Sequence, residues 1–284
     1  MLSIIFLGSG GGRFNLIRQI RSTGGFLIQS KSLKISVDPG PGALSKLNEL
    51  KIDPTSLDGL IITHNHIDHY LEAPLLIEAI SNFALEKKGF LIASSSIVNG
   101  YGKEDKIIST YHQSKLEKIF VLKPKQSNKI TIKNTNFFIK AVPTEHEDPT
   151  GFGFVMEIEN KKIAYSSDTS LIEKIHFVDF ANVDLLIVNC LKPFNDNYPG
   201  HLSATNVIEL LKATKPKVCI LTHLGLKILS SNPAILASRI TKETAVKTFA
   251  AMDGYIYELE TQTFKKYVPK KSSKNSAKQT TLFC

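Results

Sequence analysis

Cysteine and long apolar runs are both scarce in this sequence of 284 residues. The three cysteines, Cys190, Cys219 and Cys284, are odd in number and show no paired spacing, which argues against a disulfide framework and favours a reducing cytoplasm. The longest apolar stretches are far too short to cross a bilayer, and residues 1–7 lack a basic leader. We therefore expect a cytoplasmic protein with no membrane partner and no secretion signal.

Arginine is also scarce, because the chain contains only four in a composition otherwise biased toward lysine. Three of them, Arg13, Arg18 and Arg21, lie within nine residues, beside a glycine-rich segment. A guanidinium group binds phosphate or carboxylate through two parallel hydrogen bonds, which an ammonium group cannot do. We expect these arginines, together with Gly11 and Gly12, to bind an anionic substrate. The alternative is that they form structural salt bridges.

The glycine-rich segment at 8–12 lacks the signatures of a nucleotide-binding loop. It has neither the dinucleotide fingerprint nor a Gly-Lys-Ser/Thr ending, and no clear helix is predicted after it. A Rossmann or P-loop site is therefore not expected. Glycine at these positions would instead let the backbone approach other groups closely.

The net charge of +9 is unevenly distributed along the chain. Residues 265–284 contain six lysines and no acidic residue, so the other 264 residues carry a net charge of only +3. We expect residues 1–264 to form one domain and residues 265–284 to be a flexible, lysine-rich tail. The tail ends in residues 279–284, which partly resemble the Gln-x-x-aliphatic peptides that dock on DNA sliding clamps, although the aromatic pair of such peptides is missing. A sliding clamp is therefore one partner hypothesis.

The most informative motif contains His64, His66, Asp68 and His69 within six consecutive positions. It directly follows the apolar stretch 57–62, which is predicted to be a buried strand. Histidine is the commonest metal ligand and carboxylate its usual partner, and four such groups have no good structural use without a cation between them. The motif therefore predicts a metal site rather than a merely polar loop.

Three further candidate ligands occupy the same kind of position. His146, Asp168 and His223 each follow a β-type apolar run and precede a turn or helix signal. Layered α/β proteins place functional groups at such positions. Each residue alone could be a satisfied core or capping residue, but together with the first motif they supply enough donors to enclose two ions.

The spacing of apolar residues along the chain predicts a series of strands and helices. Apolar residues at helical spacing predict a helix over 71–84 whose apolar side packs in the core. Asp253-Gly254 is a favoured hairpin dipeptide between two short strands. The other predicted elements are strands or hairpins near residues 2–7, 24–30, 33–38, 57–62, 129–141, 152–166, 183–188 and 217–221, and a helix over 43–50.

The motif and the three later ligands resemble those of the metallo-β-lactamase superfamily of hydrolases, and most closely its tRNase Z and phosphodiesterase branch, over residues 1 to about 260. The resemblance implies an α/β fold, a four-layer αββα sandwich with the metals in a cleft at its edge. Residues 1–264 would then be the hydrolase domain.

The resemblance also implies two divalent cations with a bridging hydroxide between them. It assigns His64, His66 and His146 to one ion, Asp68, His69 and His223 to the other, and Asp168 to both. An all-His/Asp site suits zinc, while manganese or iron stays open. The sequence leaves a homodimer open as well.

The resemblance extends to His201, which lies before a predicted helix capped by Ser203. tRNase Z enzymes use a histidine of this kind near the scissile phosphate, where it can protonate the leaving oxygen. Asp68 and His201 are therefore the candidate catalytic residues. The alternative is that His201 is a loop histidine that merely caps this helix.

The sequence departs from the tRNase Z pattern at two places. Where those enzymes usually carry a glutamate that orients the histidine, this chain reads Val188-Asn189-Cys190-Leu191, so the proton relay is altered or absent. Between His146 and Asp168 there is room only for one hairpin, whereas many tRNase Z enzymes insert a tRNA-grasping arm there. Maturation of tRNA 3′ ends is therefore not the first expectation.

We expect a di-metal-dependent hydrolase, first of all a phosphodiesterase that acts on nucleic-acid or nucleotide phosphodiesters. A thioester or lactone hydrolase of the same fold is the alternative within this class. A hypothesis of another class is a clamp-associated binding protein with vestigial catalysis. The presence of seven candidate ligands argues against it, because a site freed of catalysis has no chemical reason to keep every donor.

Overall fold

The computed structural model describes residues 2–170 and 178–269, and two large sheets dominate it. One cluster of apolar side chains fills the space between the two sheets. A second lies between the first sheet and its outer helices, and a third lies between the second sheet and its outer helices. The layers are therefore helix, sheet, sheet and helix. The expected four-layer αββα sandwich is confirmed.

The first sheet combines the N-terminal half of the chain with two strands from its end. Strands β3 to β6 run parallel to one another, and the two inner strands of this set, β4 and β5, are apolar throughout because both of their faces are covered. In spatial order the strands are β16 (Thr263–Lys266), β15 (Tyr255–Glu258), β1 (Ser3–Phe6), β2 (Phe26–Gln29), β3 (Lys34–Val37), β4 (Gly59–Ile62), β5 (Phe90–Ala93) and β6 (Lys118–Val121).

The second sheet holds the strands of the middle and later chain. Its spatial order is β14 (Lys247–Ala250), β13 (Val218–Thr222), β11 (Leu185–Lys192), β10 (Lys161–Tyr165), β9 (Phe152–Ile158), β8 (Thr135–Pro143) and β7 (Ser127–Ile132), with the short β12 (Leu202–Ser203) beside β11. The neighbours from β10 to β14 are parallel, so their carboxyl ends meet at one edge.

Helices cover the outer faces of both sheets. On the first sheet lie α2 (Ala43–Glu49), α4 (Ala73–Ile80) and α5 (Ser95–Asn99), and on the second lie α7 (Ala204–Thr214) and α9 (Pro233–Thr244). The other helices are α1 (Gly12–Arg18), α3 (Ile67–Tyr70), α6 (Thr110–Ser114), α8 (Leu226–Leu229) and a single 3-10 turn at Pro54–Ser56. No helix in the described part of the chain is long and apolar enough to cross a membrane.

The helix predicted over 71–84 is present but shorter, because α4 runs only from Ala73 to Ile80. Pro74 lies in its first turn, where the missing amide hydrogen is not needed. Leu76 and Ile80 are buried as expected, but Leu71, Leu75 and Phe83, which were expected in the core, are largely exposed.

Asp253-Gly254 does not form a hairpin, because it joins β14 of the second sheet to β15 of the first. The Asp253 carboxylate instead accepts hydrogen bonds from the backbone and hydroxyl of Ser9 and from the backbone of Ser22. It therefore fixes the glycine-rich segment to the later chain. Contrary to expectation, a helix, α1, follows that segment directly.

The last described strand, β16, begins at Thr263 and extends into the segment expected to be a tail. Lys265 and Lys266 belong to β16 and pair with β15, and Tyr267 donates a backbone hydrogen bond to Gly254. The folded domain thus extends past the expected boundary at residue 264. The clamp-like end at residues 279–284 lies outside the described residues.

Two consecutive residues of β8 test the packing between the sheets. Phe137 is fully buried, whereas its neighbour Phe138 points to the outer side and is 51% exposed. We expect Phe137→Ala to lower the free energy of unfolding by about 3–5 kcal/mol, because it leaves a cavity in the core. Phe138→Ala is the matched control, with an expected loss below about 1 kcal/mol in urea denaturation. Equal losses would contradict this packing.

Candidate metal centre

The candidate metal ligands lie in loops that leave the carboxyl ends of their strands. The 64–69 segment follows β4, and His146, Asp168 and His223 follow β8, β10 and β13. Strand β4 belongs to the first sheet and the other three to the second, so the loops meet at one edge of the sandwich. Donors that are far apart in sequence therefore lie side by side.

Asp168 lies at the centre of this group, and its Oδ2 atom faces five imidazole rings. The carboxylate is almost fully buried. The distances from Oδ2 are 3.8 Å to His64 Nε2, 3.3 Å to His69 Nε2, 3.8 Å to His146 Nε2, 3.7 Å to His201 Nδ1 and 3.4 Å to His223 Nε2.

The donor atoms fall into overlapping groups that could each hold an ion. The two main groups are His64, His66, His146 and Asp168, and Asp68, His69 and His223, with the donor atoms of each group within 4.8 Å of one another. Asp168 belongs to the first group, and its Oδ2 also lies 3.3 Å from His69 Nε2 and 3.4 Å from His223 Nε2 of the second. The assignment of each group to one ion stays a prediction. His201 forms a further group with Asp168 and His223, so it lies beside the ligands.

Unpartnered nitrogens show that the donor set fits cations. Among the described residues, His64 Nε2 and His69 Nε2 are buried and have no hydrogen-bond partner, although both face Asp168. His66 Nδ1 and His146 Nε2 lie 2.9 Å apart, and both point into the first group. Buried polar atoms normally have partners. Divalent cations between these nitrogens and the carboxylate would supply them.

Asp38 contacts the nitrogen of His69 that is directed away from Asp168. Its Oδ2 lies 3.0 Å from His69 Nδ1 and accepts hydrogen bonds from the hydroxyls of Thr63 and Tyr165, while its Oδ1 accepts from the Thr63 backbone. Burial raises the pKa of Tyr165 well above its ordinary value, so its hydroxyl stays protonated and donates. Asp38 thereby orients His69 with Nε2 toward Asp168.

Asn189 lies in the 188–191 stretch, which has no glutamate, and it contacts Asp168. Its Nδ2 donates to Asp168 Oδ1 over 2.6 Å and to the Tyr165 hydroxyl over 3.1 Å. The amide therefore holds one oxygen of Asp168 and leaves Oδ2 directed at the imidazoles. Its hydrogen bonds orient a candidate ligand rather than His201.

Other contacts orient the first donor group. His146 Nδ1 bonds to the carbonyl of Gly200 over 2.9 Å, and His66 Nε2 lies 3.1 Å from the Glu147 carboxylate. Each of these rings thus uses one nitrogen for the protein and turns the other toward the site. Carboxylate or carbonyl partners of this kind fix the tautomer of a metal-binding histidine.

The ionisable groups of the site shift one another's pKa values. Burial alone would raise the pKa of Asp168, but the imidazoles of His223, His69 and His201 outweigh it and hold the pKa well below its ordinary value. Burial lowers the pKa of His201 to about 4, although Asp168 acts in the opposite direction. In the protein without ions or substrate, His201 is therefore neutral at pH 7, and an anionic substrate beside it would raise its pKa again.

The glycine-rich segment packs directly against the site. A side chain at Gly11 would place its Cβ 2.2 Å from the His223 ring, so only glycine fits there, and Gly12 has a φ of +75° at the start of α1. Arg21 Nη1 donates to Ser9 Oγ and to the Ala251 carbonyl, and so braces the segment instead of facing a substrate. Arg13 and Arg18 are exposed on α1.

The stretch between His146 and Asp168 is described throughout and contains only the β9–β10 hairpin as regular structure. No arm is inserted in this stretch, as the sequence indicated. Asp38 and Asn189 were not recognised as part of the site. Asp38 ends an apolar run before Pro-Gly, and this position at a strand end was the signal that could have identified it.

Comparison with known proteins agrees with this geometry. A family model described as a beta-lactamase superfamily domain matches residues 34–224. An uncharacterized protein of Methanocaldococcus jannaschii is 40% identical over 260 residues, which cover 91% of this chain and 95% of that protein. A ribonuclease Z of Sulfolobus acidocaldarius is 25% identical over 275 residues, which cover 83% of this chain and 92% of that protein.

Solved structures show the same fold. The metallo-beta-lactamase fold protein YhfI from Bacillus subtilis superimposes with a TM-score of 0.72 at 20% identity, covering 90% of this chain and 98% of that one. A diphosphatase of the PhnP family superimposes with a TM-score of 0.65 at 17% identity, covering 91% and 98%.

The orienting role of Asp38 leads to a prediction on metal affinity. We expect Asp38→Asn to weaken metal binding by about 10- to 100-fold, because His69 loses the carboxylate that fixes its ring. Competition with a chromogenic chelator measures this change. Asp58→Asn is the matched control, since Asp58 is also buried but bonds to the Lys34 backbone and to Lys133. An affinity that is unchanged in Asp38→Asn, or equally weakened in both variants, would contradict the assignment.

Proposed function

Because this chain belongs to the metallo-β-lactamase superfamily and is a metal-dependent hydrolase, we propose that it is a phosphodiesterase that cleaves nucleic-acid or nucleotide phosphodiesters. The observation that supports this most is the position of Asp168, whose Oδ2 faces histidines of both donor groups. Two adjacent ions can stabilise both the attacking and the leaving oxygen of an in-line displacement at phosphorus.

We assign the first ion to His64, His66 and His146, the second to Asp68, His69 and His223, and Asp168 to both. Zinc suits these nitrogen and oxygen donors, and manganese or iron would also be accepted. When bound, the ions would acidify the attacking water and neutralise charge on the phosphate. The protein's own residues hold the donors in place and direct the substrate.

Two residues of the chain are assigned to the chemistry itself. Burial alone would raise the pKa of Asp68, but His69 and His223 outweigh it and hold that pKa below its ordinary value. Asp68 therefore stays ionised, and its carboxylate can accept a hydrogen bond from the attacking water. His201 lies beside Asp168, where its ring can donate to the leaving oxygen and, once charged beside the anionic phosphate, protonate it.

The names of similar proteins favour phosphate chemistry over thioester or lactone hydrolysis. A ribonuclease Z is among the relatives and a diphosphatase among the structural neighbours. Arg13 and Arg18, exposed on α1 just after the glycine segment that packs on His223, supply cations for an anionic substrate. The lack of an inserted arm between His146 and Asp168 favours a small diester or a nucleic-acid end over precursor tRNA.

The purified protein should contain close to two equivalents of transition metal and hydrolyse bis-p-nitrophenyl phosphate. Elemental analysis and the release of p-nitrophenolate measure the two properties. The metal-loaded protein is also offered a thioester, lactoylglutathione, and a lactone. Turnover of either of these with no diesterase activity would show that the phosphodiester assignment is wrong.

Asp68→Ala should lower turnover of the diester by at least about 100-fold and reduce the metal content to about one equivalent. The reason is that the loss of one ion removes several kcal/mol of transition-state stabilisation. Circular dichroism checks that the fold is intact. Asp53→Ala, which removes an aspartate that caps the 3-10 turn, serves as the control. Full activity of Asp68→Ala would exclude Asp68 from the site.

A further inference from the structure

A row of four rings leads from the metal centre toward the surface. The centroid of His69 lies 5.1 Å from that of His223, His223 lies 5.7 Å from His201, and His201 lies 5.8 Å from Tyr198. The angles between successive ring planes are 28°, 13° and 37°. The proposed function uses the first three rings and leaves Tyr198 without a role.

The last ring differs from the others in its exposure. His69 and His223 are buried, whereas Tyr198 is 52% exposed. Its backbone is nevertheless held in place, because the backbone amide of His201 donates to the Tyr198 carbonyl in an isolated β-bridge. The intervening Gly200 is also held, since its amide donates to the Ser170 hydroxyl and its carbonyl contacts His146. Tyr198 therefore stands at a set distance from the reacting centre.

The ammonium group of Lys192 lies over the Tyr198 ring. Lys192, the last residue of β11, places its Nζ 4.8 Å from the centroid of the Tyr198 ring. The combination of a half-exposed aromatic ring with an ammonium group over it suits a nucleotide. The flexible lysine side chain can move off the ring, so that a base stacks on the ring and the phosphate contacts the cation. A substrate with no aromatic group would gain little from it.

We propose that Tyr198 and Lys192 form a nucleotide-binding subsite, in which a nucleobase of the substrate stacks on Tyr198 while Lys192 contacts a phosphate of the same strand. This deepens the phosphodiesterase proposal and rests on it. Because every base presents a flat ring surface, the subsite selects nucleotides as a class with little preference among the bases. His201 is in contact with both Asp168 and Tyr198, so the stacked base belongs to a nucleotide next to the scissile bond.

The chain offers a closely matched control for this pair. Single exposed tyrosines are common on protein surfaces, so exposure alone carries no weight. Tyr111 on α6 is 53% exposed and has Lys115 5.0 Å from its ring centroid, but it belongs to the helices outside the first sheet and not to the row of rings. Tyr198→Leu and Tyr111→Leu remove the same chemistry from two different places.

The experiment compares two diesters that share one leaving group. Thymidine 5′-(p-nitrophenyl phosphate) carries a base and methyl p-nitrophenyl phosphate does not. The preference is the kcat/KM for the thymidine diester divided by the kcat/KM for the methyl diester, both measured with the metal-loaded enzyme. Because stacking on one base contributes about 1–3 kcal/mol, Tyr198→Leu should lower the preference by about 5- to 150-fold. Tyr198→Phe should keep it, and Tyr111→Leu should not alter it.

Binding gives a second readout that does not depend on turnover. The fluorescence of a 2-aminopurine nucleotide is quenched when its base stacks on an aromatic ring, so wild type should quench it and Tyr198→Leu should not. An unchanged preference together with undiminished quenching in Tyr198→Leu would overturn the subsite. If wild type hydrolyses neither diester, the phosphodiesterase proposal fails, and the quenching measurement still decides whether Tyr198 binds a base.

Discussion

Five imidazole rings surround one oxygen of a buried carboxylate, Asp168 Oδ2, at distances of 3.3–3.8 Å. This oxygen cannot accept good hydrogen bonds from all of them, and two of the facing nitrogens have no other partner among the described residues. Leaving such groups unpaired is costly in a protein interior. Cations held between the carboxylate and the rings would remove the conflict, and the contacts of Asp38 and Asn189 orient the donors for them.

The fold supplies the site by bringing strand ends of both sheets to one edge of the sandwich. Continuous apolar strands anchor the loops, so the donors need no large rearrangement to meet. Asp38 and Asn189 then fix the orientation of His69 and Asp168 from inside the fold. Asp253 and Arg21 secure the glycine segment against His223. The geometry of the ligands therefore depends on contacts that span most of the chain.

The sequence was most informative where several candidate ligands lie close together along the chain. The motif that contains His64 and His69 fixes the kind of site, because its donors are adjacent along the chain, and the apolar runs before His146 and His223 indicate where the sheets end. Interactions between distant residues could not be predicted in this way. The bond from Asn189 to Asp168 and the role of Asp253 depend on which elements meet in three dimensions. Periodicity alone does not carry that information.

The central claim is that two ions lie side by side and share Asp168. Electron paramagnetic resonance of the manganese-loaded protein tests it most directly, because two Mn²⁺ ions that share a bridging ligand couple magnetically. The account predicts a multiline spectrum of a coupled pair at two equivalents of manganese, and its loss in Asp168→Ala. A six-line spectrum of isolated ions at every loading of the wild type would contradict it.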